Sequence, residues 1–255
     1  MKHLLIFIFS CCSLSVFGQA LPVMLPTLGK SIEKSTQGEI EFYEMRKKCE
    51  KFWEQYQADF DFSQLNEAEK KLLDFCETAQ FDYWDVLSPG CSWYCGGGLD
   101  TVTASSYLKA EGSNQYLPKN IHDFSYKTPW VEGVPGYGIG ESISCHFPPE
   151  NPRITEIIIV NGYVKSEQAW KDNTRVKKLK MYLNNKPYAM LILEDTRKEQ
   201  HFKFEPLGYA DRDDNEALLK QPWWTIKFEI VEVYPGDKFD DTALTEIYFD
   251  GIDVH

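Results

Sequence analysis

Large aromatic side chains and polar donors follow a strongly apolar stretch near the middle of the chain. Residues 154–160 are mostly β-branched and predict a buried strand. Asn161 and Gly162 then predict a turn, because both residue types tolerate positive φ. Ring faces and amide or guanidinium groups come next: Tyr163, Trp170, Asn173 and Arg175. This combination suits a flat polar ligand such as a sugar, and the alternative is that the two rings close the end of a β-sandwich core.

A second loop with similar chemistry spans residues 120–140 and contains Trp130, Glu132 and four glycines. Its Gly-Tyr-Gly-Ile-Gly run does not follow a strand and open a helix, as a dinucleotide-binding turn requires. We therefore set nucleotide binding aside. The glycines are expected to let the backbone pass close to packed aromatic rings, with Trp130 either buried or at the rim of a site.

Motifs of known catalytic and metal sites are missing from the sequence. It has no nucleophile elbow, zinc-protease helix or phosphate-binding loop. Cys145 and His146 are neighbours on a predicted strand, so their side chains point to opposite faces. Glu132 and Glu141 are the first candidates for a hydrolase with loop carboxylates, the least favoured interpretation. The acidic turn at residues 236–241 lacks calcium-loop spacing, so a structural calcium ion has no support and no cofactor is predicted.

Composition narrows the classes of partner. The 255-residue chain has a formal net charge of -12, which argues against nucleic acid and anionic membranes as binding partners. Aromatic residues make up 15% of the chain. Residues 1–18 have a basic start and a short apolar run, which predict a secretory signal peptide and export to the periplasm or beyond. Lipid attachment at Cys11 or Cys12 is a less favoured alternative. No apolar run is long enough for a transmembrane helix.

Five cysteines follow the predicted signal peptide, an odd number, so at least one does not pair within the chain. The preferred pair is Cys49 with Cys76, because each falls in one of two consecutive predicted helices. Cys91 and Cys95 can close a small loop only if the chain turns between them. Cys145 is the fifth.

The chain divides into a helical and a β-rich part. Residues 19–36 predict an irregular leader. Residues 37–90 predict a helical hairpin, with an amphipathic helix at 38–58 and a second helix from a capping box at Asn66 and Glu69 to residue 79. Residues 91–255 predict strands at 101–107, 141–147, 154–160, 178–184, 188–193, 224–233 and 244–249. Strands without intervening helices indicate an antiparallel β-sandwich or jelly roll.

Four ordered blocks resemble a known family. They are DFSYKTPWVEG at 123–133, GIGE at 138–141, VNGYVKS at 160–166 with RVKKL at 175–179, and GDKFDDT at 236–242. Together they resemble the discoidin-like domain that accompanies streptococcal NAD glycohydrolase as its translocation and glycan-binding module. The resemblance covers about residues 98–255. It implies a galactose-binding-like β-sandwich and glycan binding without chemistry, and it does not imply NAD glycohydrolase activity.

The sequence thus predicts an exported, non-enzymatic carbohydrate-binding protein whose partner is a glycan or glycoconjugate. The candidate ligand-binding residues are Trp130, Glu132, Tyr163, Trp170, Asn173 and Arg175. An envelope protein-interaction module without a sugar pocket, with another envelope protein as its partner, is the alternative. The identity of the glycan and the partner of the helical segment do not follow from the sequence.

Overall fold

A computed structural model of the protein describes residues 20–56, 60–210 and 212–254. The predicted signal peptide and the two cysteines considered for lipid attachment lie outside the described residues. None of the helices in the described parts of the chain combines the length and the apolar character needed to cross a bilayer.

The described residues are mostly β, with eleven strands and four α-helices. The strands are β1 Val23–Met24, β2 Thr27–Ser31, β3 Thr101–Ala104, β4 Trp130–Val131, β5 Ser142–Phe147, β6 Ile154–Asn161, β7 Asn173–Leu183, β8 Lys186–Ile192, β9 Lys198–Leu207, β10 Trp224–Tyr234 and β11 Phe239–Gly251. The helices are α1 Thr36–Gln55, α2 Glu67–Thr78, α3 Glu167–Asp172 and α4 Asn215–Leu219.

The strands form a mainly antiparallel β-sandwich, which confirms the predicted fold class. Hydrogen bonding runs in the order β2-β9-β6-β11-β7-β10-β5-β3, with β4 on β11, β8 on β7 and β1 on β8. The β11–β7 pairing is parallel, with Thr242 beside Thr174 and Ala243 beside Arg175. This pairing links β9-β6-β11 to β7-β10-β5. The apolar residues of these two layers face each other.

Alternation along the strands creates the core. In β10, Trp224, Ile226, Phe228 and Ile230 are all buried, while the residues between them are half-buried. They pack against inward side chains of the opposite layer, including Ile157, Ile159, Phe202 and Phe249. A strand with period-two burial presents one apolar face, and the sandwich covers that face with the matching face of the second layer.

The outer face of β6 and β11 is also covered. Residues from the first ninety positions, Ile32, Trp84 and Val86, pack with Tyr126 on Val160 and Val164. The helical hairpin lies beyond this cover, where Cys49 and Cys76 form the predicted disulfide. Asn66 and Glu69 form the predicted capping box at the start of α2.

The structure contains elements that the sequence does not predict, among them β4, α3 and α4. The segment predicted as an irregular leader contains β1 and β2, which pair with β8 and β9 at sheet edges. β1 and β2, of two and five residues, are too short to show an alternating hydrophobic pattern in the sequence. They are held by backbone hydrogen bonds to the edge strands β8 and β9. β9 was absent from the prediction because it buries polar residues, Glu199 and Gln200, which no hydrophobic pattern reveals.

Candidate functional site

Loops meet at the end of the sandwich where β6 stops and β7 and β11 start. The backbone N–H of Asp237 donates to Lys171 O at 2.9 Å, and that of Lys238 donates to Asp172 O at 3.1 Å. These bonds join the β10–β11 loop to α3. Gly236 allows the approach, since a Cβ there would lie 2.5 Å from the Asp172 carbonyl oxygen. The loops enclose a cavity of about 220 Å³.

The walls of this cavity, which we call the loop cavity, combine rings with carboxylates. Its lining is Leu108, Glu111, Tyr116, Val131, Tyr163, Ala169, Asp172, Asn173, Phe239 and Asp241. Burial raises the pKa of Asp241, and the neighbouring Glu111 and Asp240 charges raise it further. The rings offer apolar faces, and the carboxylates accept hydrogen bonds from hydroxyl groups. This arrangement suits a neutral polyhydroxyl ligand.

Tyr163 stands on the β6–β7 loop directly after the turn at Gly162, which has φ +78°. It is half-buried, and burial followed by the nearby Tyr116 raises its pKa to about 12. Its hydroxyl therefore stays protonated at neutral pH and can donate or accept a hydrogen bond. Within the described part of the chain, that hydroxyl has no hydrogen-bond partner.

Asn173 is the second residue of the sequence-based set that lines the loop cavity. Its Nδ2 donates to Ala169 O at 2.8 Å, at the C-terminal end of α3. That bond orients the amide. Its Oδ1 accepts no hydrogen bond from any described residue.

Trp170 and Arg175 lie next to the loop cavity and brace it. The Arg175 guanidinium carbon is 4.4 Å from the centre of the Trp170 ring, and Trp170 Nε1 donates to Asn161 O at 3.2 Å. Arg175 is 7% exposed and forms a two-point contact with Asp195, at 2.7 and 3.1 Å. Its Nη1 donates to backbone carbonyls of the loop, including Asn173 O at 2.9 Å. The fold thus already engages the donors of Arg175.

Trp130 and Glu132 lie in the interior of the same end of the sandwich. Both are 0% exposed. Trp130 Nε1 donates to Ser106 O at 3.0 Å. Glu132 accepts from the Val134 and Thr242 N–H groups at 2.8 and 3.2 Å, and burial raises its pKa. These contacts bind loop to strand and leave neither side chain a surface toward the cavity.

The loop cavity also contains residues outside the sequence-based set, among them Glu111, Asp172, Phe239 and Asp241. Phe239 and Asp241 belong to the acidic turn at residues 236–241, for which the sequence predicts no ligand. The sequence signal that could have placed this turn at the site is its position immediately before the last strand, because loops that join strands lie at the ends of a sandwich. Glu111 carried no comparable signal, since residues 105–117 contain little regular structure.

The described residues also line cavities larger than the loop cavity, and two of them are relevant here. One of about 430 Å³ opens on the outer face of β6 and β9, where His201 Nδ1 is 3.1 Å from Glu156 Oε1. The other, of about 420 Å³, shares Tyr163 with the loop cavity. No group of three His, Cys, Asp or Glu side chains with the proximity of a metal site occurs in residues 20–56, 60–210 and 212–254.

The sequence model of the NAD glycohydrolase translocation F5/8 type C domain matches residues 93–250. The chain belongs to this family. The match begins at the buried Trp93 and ends within β11, so it spans the sandwich that carries the loop cavity. It confirms the resemblance seen in the four sequence blocks.

Solved structures similar to this translocation-domain chain include the Streptococcus pyogenes NAD⁺-glycohydrolase translocation domain, with 27% identity, a TM-score of 0.32, and coverage of 48% of this chain and 96% of that one. Another is the CBM32-1 and CBM32-2 pair of Clostridium perfringens ZmpB with GalNAc, at 13% identity and TM-score 0.42.

The match with the ZmpB structure covers 60% of this chain and 33% of the ZmpB chain, so this chain spans only part of the length of that protein. The Clostridium perfringens GH89 CBM32-5 module with GalNAc-β-1,3-galactose has 16% identity and TM-score 0.41, covering 59% of this chain and 94% of that one. No curated protein sequence matches the chain.

Proposed function

We propose that this translocation-domain chain is an exported, non-catalytic module that binds a glycan in the loop cavity. The observation that carries the proposal is the cavity itself, in which Tyr163 and Phe239 present rings beside the carboxylates of Glu111, Asp172 and Asp241. Sugars offer both an apolar ring face and hydroxyl donors. Stacking on a ring with hydrogen bonds to carboxylates is the common way to hold them.

Within this proposal, the sequence-based residues divide by role. Tyr163 and Asn173 contact the sugar, since both line the cavity and carry oxygen atoms that no described residue engages. Trp170 and Arg175 hold the wall from behind. Trp130 and Glu132 fix the loops that form the floor.

The same geometry bears on the hydrolase alternative. Both oxygens of Glu132 are bonded to backbone N–H groups in the interior, and Glu141 Oε2 accepts from Ser105 Oγ at 2.5 Å. Each carboxylate has a role in joining loops and strands. An envelope interaction module remains the competing function, and a glycan array with the wild-type protein separates it from sugar binding: the proposal requires at least one specific glycan signal.

Tyr163→Ala is expected to weaken glycan binding by roughly five- to tenfold, on the order of 1 kcal/mol for a stacking ring. Isothermal titration with GalNAc-β-1,3-galactose, the disaccharide of the GH89 module structure, measures the loss. Tyr137→Ala is the matched control, because Tyr137 is 41% exposed on a neighbouring loop and does not line the cavity. Thermal melting of each variant checks that it is folded. A folded Tyr163→Ala protein with wild-type affinity would remove Tyr163 from the site.

A further inference from the structure

The cavity of about 420 Å³ beside the loop cavity has a different chemical character. It is lined by Ser113, Asn114, Gln115, Lys119, Asn120, Asp123, Lys127, Thr128, Pro129, Tyr163 and Lys165. Three of these side chains are basic and one is acidic, although the whole chain has a net charge of -12. We call it the lysine cavity. Tyr163 belongs to the lining of both cavities, so the two cavities are adjacent.

The loop cavity carries the opposite charge. Glu111, Asp172 and Asp241 line it, and no Lys, Arg or His is among its lining residues. An anionic group is therefore repelled from the loop cavity and attracted to the lysine cavity. A neutral sugar unit, whose hydroxyls donate to carboxylates, meets no such penalty in the loop cavity.

The lysines differ in how far the fold already engages them. Lys165 is half-buried and makes no ion pair with any described residue. The exposed Lys119 makes none either, although burial raises the pKa of Asp123 and the charge of Lys119 partly offsets that rise. Lys127 is partly engaged, with its Nζ 3.4 Å from Glu39 Oε1. Asp123, the acidic member, is itself held by Thr128 Oγ1 at 2.6 Å and by the Ser125 N–H at 3.1 Å. Two ammonium groups thus remain available to an external anion.

We propose that the lysine cavity is a second subsite, which takes the carboxylate or sulfate of an acidic glycan while a neutral unit of the same glycan occupies the loop cavity. This inference rests on the proposed glycan-binding function. The opposite charges of the two cavities fix the direction of the bound chain, since the reverse orientation places the anion among three carboxylates. The subsite therefore provides both selectivity for acidic glycans and orientation.

The test compares lactose, sialyllactose and sulfated lactose by isothermal titration with the full chain. The acidic sugars are expected to bind roughly three- to tenfold more tightly than lactose, the scale of one or two partly exposed charge pairs. Raising the salt from about 0.05 M to about 0.5 M is expected to remove this advantage and leave lactose unchanged. A preference for either the carboxylated or the sulfated sugar supports the subsite and identifies its anion.

Lys165→Gln is expected to abolish the preference while keeping the affinity for lactose. Lys186→Gln is the matched control, because Lys186 is exposed at the opposite end of the sandwich, and Lys119→Gln is a second probe if the first variant is unstable. If lactose binds and the acidic sugars bind no more tightly, the subsite is rejected and the glycan-binding function is retained. The same conclusion follows if Lys165→Gln lowers the affinity for all three sugars equally. Failure of every sugar to bind, with a blank glycan array, rejects the glycan-binding function, and the subsite falls with it.

Discussion

Glu246→Gln is expected to gain stability over the wild type as the pH rises above about 4.5, by up to about 1.4 kcal/mol per pH unit. Glu246 lies in β11 and is 0% exposed. Burial raises the pKa of its carboxyl well above the ordinary value of 4.5. A carboxyl with a raised folded-state pKa contributes full stability below its unfolded pKa and loses it as the pH climbs toward the folded value. Glutamine has the same shape and does not ionise.

The surroundings of Glu246 explain the size of the effect. Neither carboxylate oxygen has a hydrogen bond of good geometry from the described residues, although the N–H groups of Phe124 and Ser125 lie close enough to lower its pKa in part. The negative charge of Asp123 raises the pKa further. Ionisation would leave a charge unpaired inside the protein, which is far costlier than burying the neutral acid.

His122, a neighbour of Glu246, changes the stability with pH in the opposite direction. Its Nδ1 is 2.8 Å from Ile247 O and 3.8 Å from Glu246 Oε1. Burial lowers the pKa of His122 from 6.5 to about 4. The unfolded chain takes up this proton below about 6.5 while the folded chain does not, so stability falls as the pH drops from 6.5 toward 4. Between about 4.5 and 6.5, the contributions of His122 and Glu246 therefore oppose each other.

Urea unfolding of the wild type and Glu246→Gln across pH 4 to 8 measures the slope that Glu246 contributes, as a difference between two proteins in which the contributions of distant titrating groups cancel. The expected difference is smallest at the acid end and increases steadily in favour of Gln. A difference that moves in favour of the wild type as the pH rises would contradict the neutral-acid assignment, because it would mean that the folded protein stabilises the ionised form of Glu246, as a protonated His122 would.

The fold could be predicted from the sequence where apolar residues occupy buried positions and polar residues occupy exposed ones. β6 and β10 present dense β-branched or alternating apolar residues, and the Cys49–Cys76 pair lies on facing helices. β9 fails this rule at Gln200, which is 0% exposed yet polar. Its amide exchanges hydrogen bonds with the Glu194 backbone, at 2.8 and 2.9 Å. A buried polar side chain satisfied by tertiary contacts has no signature in a single sequence.

The candidate site shows the same limit. The turn at Asn161 and Gly162 directs attention to the loop that holds Tyr163 and Asn173, both of which line the loop cavity, because a turn can be recognised from local sequence. Which aromatic lines the loop cavity is decided by contacts across the fold, and these bury Trp130. The loop cavity brings Glu111 beside Phe239, more than a hundred positions further on, and no local pattern encodes that meeting.

Trp130→Ala is expected to destabilise the protein by about 3–5 kcal/mol, the usual cost of removing a fully buried Trp from a core. The ring is 0% exposed, belongs to the main apolar core, and its Nε1 donates to Ser106 O. The truncation leaves a cavity and an unpaired carbonyl. For a chain of this size, the melting temperature is expected to fall by roughly 6–20 °C.

Trp223→Ala is the matched control, since Trp223 is 55% exposed and its removal is expected to change stability by no more than about 0.5 kcal/mol. The decisive comparison measures melting temperature and glycan affinity in the same Trp130→Ala protein. A large fall in melting temperature with retained affinity in the cold means that Trp130 supports the loops without contacting the sugar. An unchanged melting temperature with lost affinity would instead return Trp130 to the ligand surface, as its sequence context suggests. It would also require the loop at residues 132–141 to open and expose the ring.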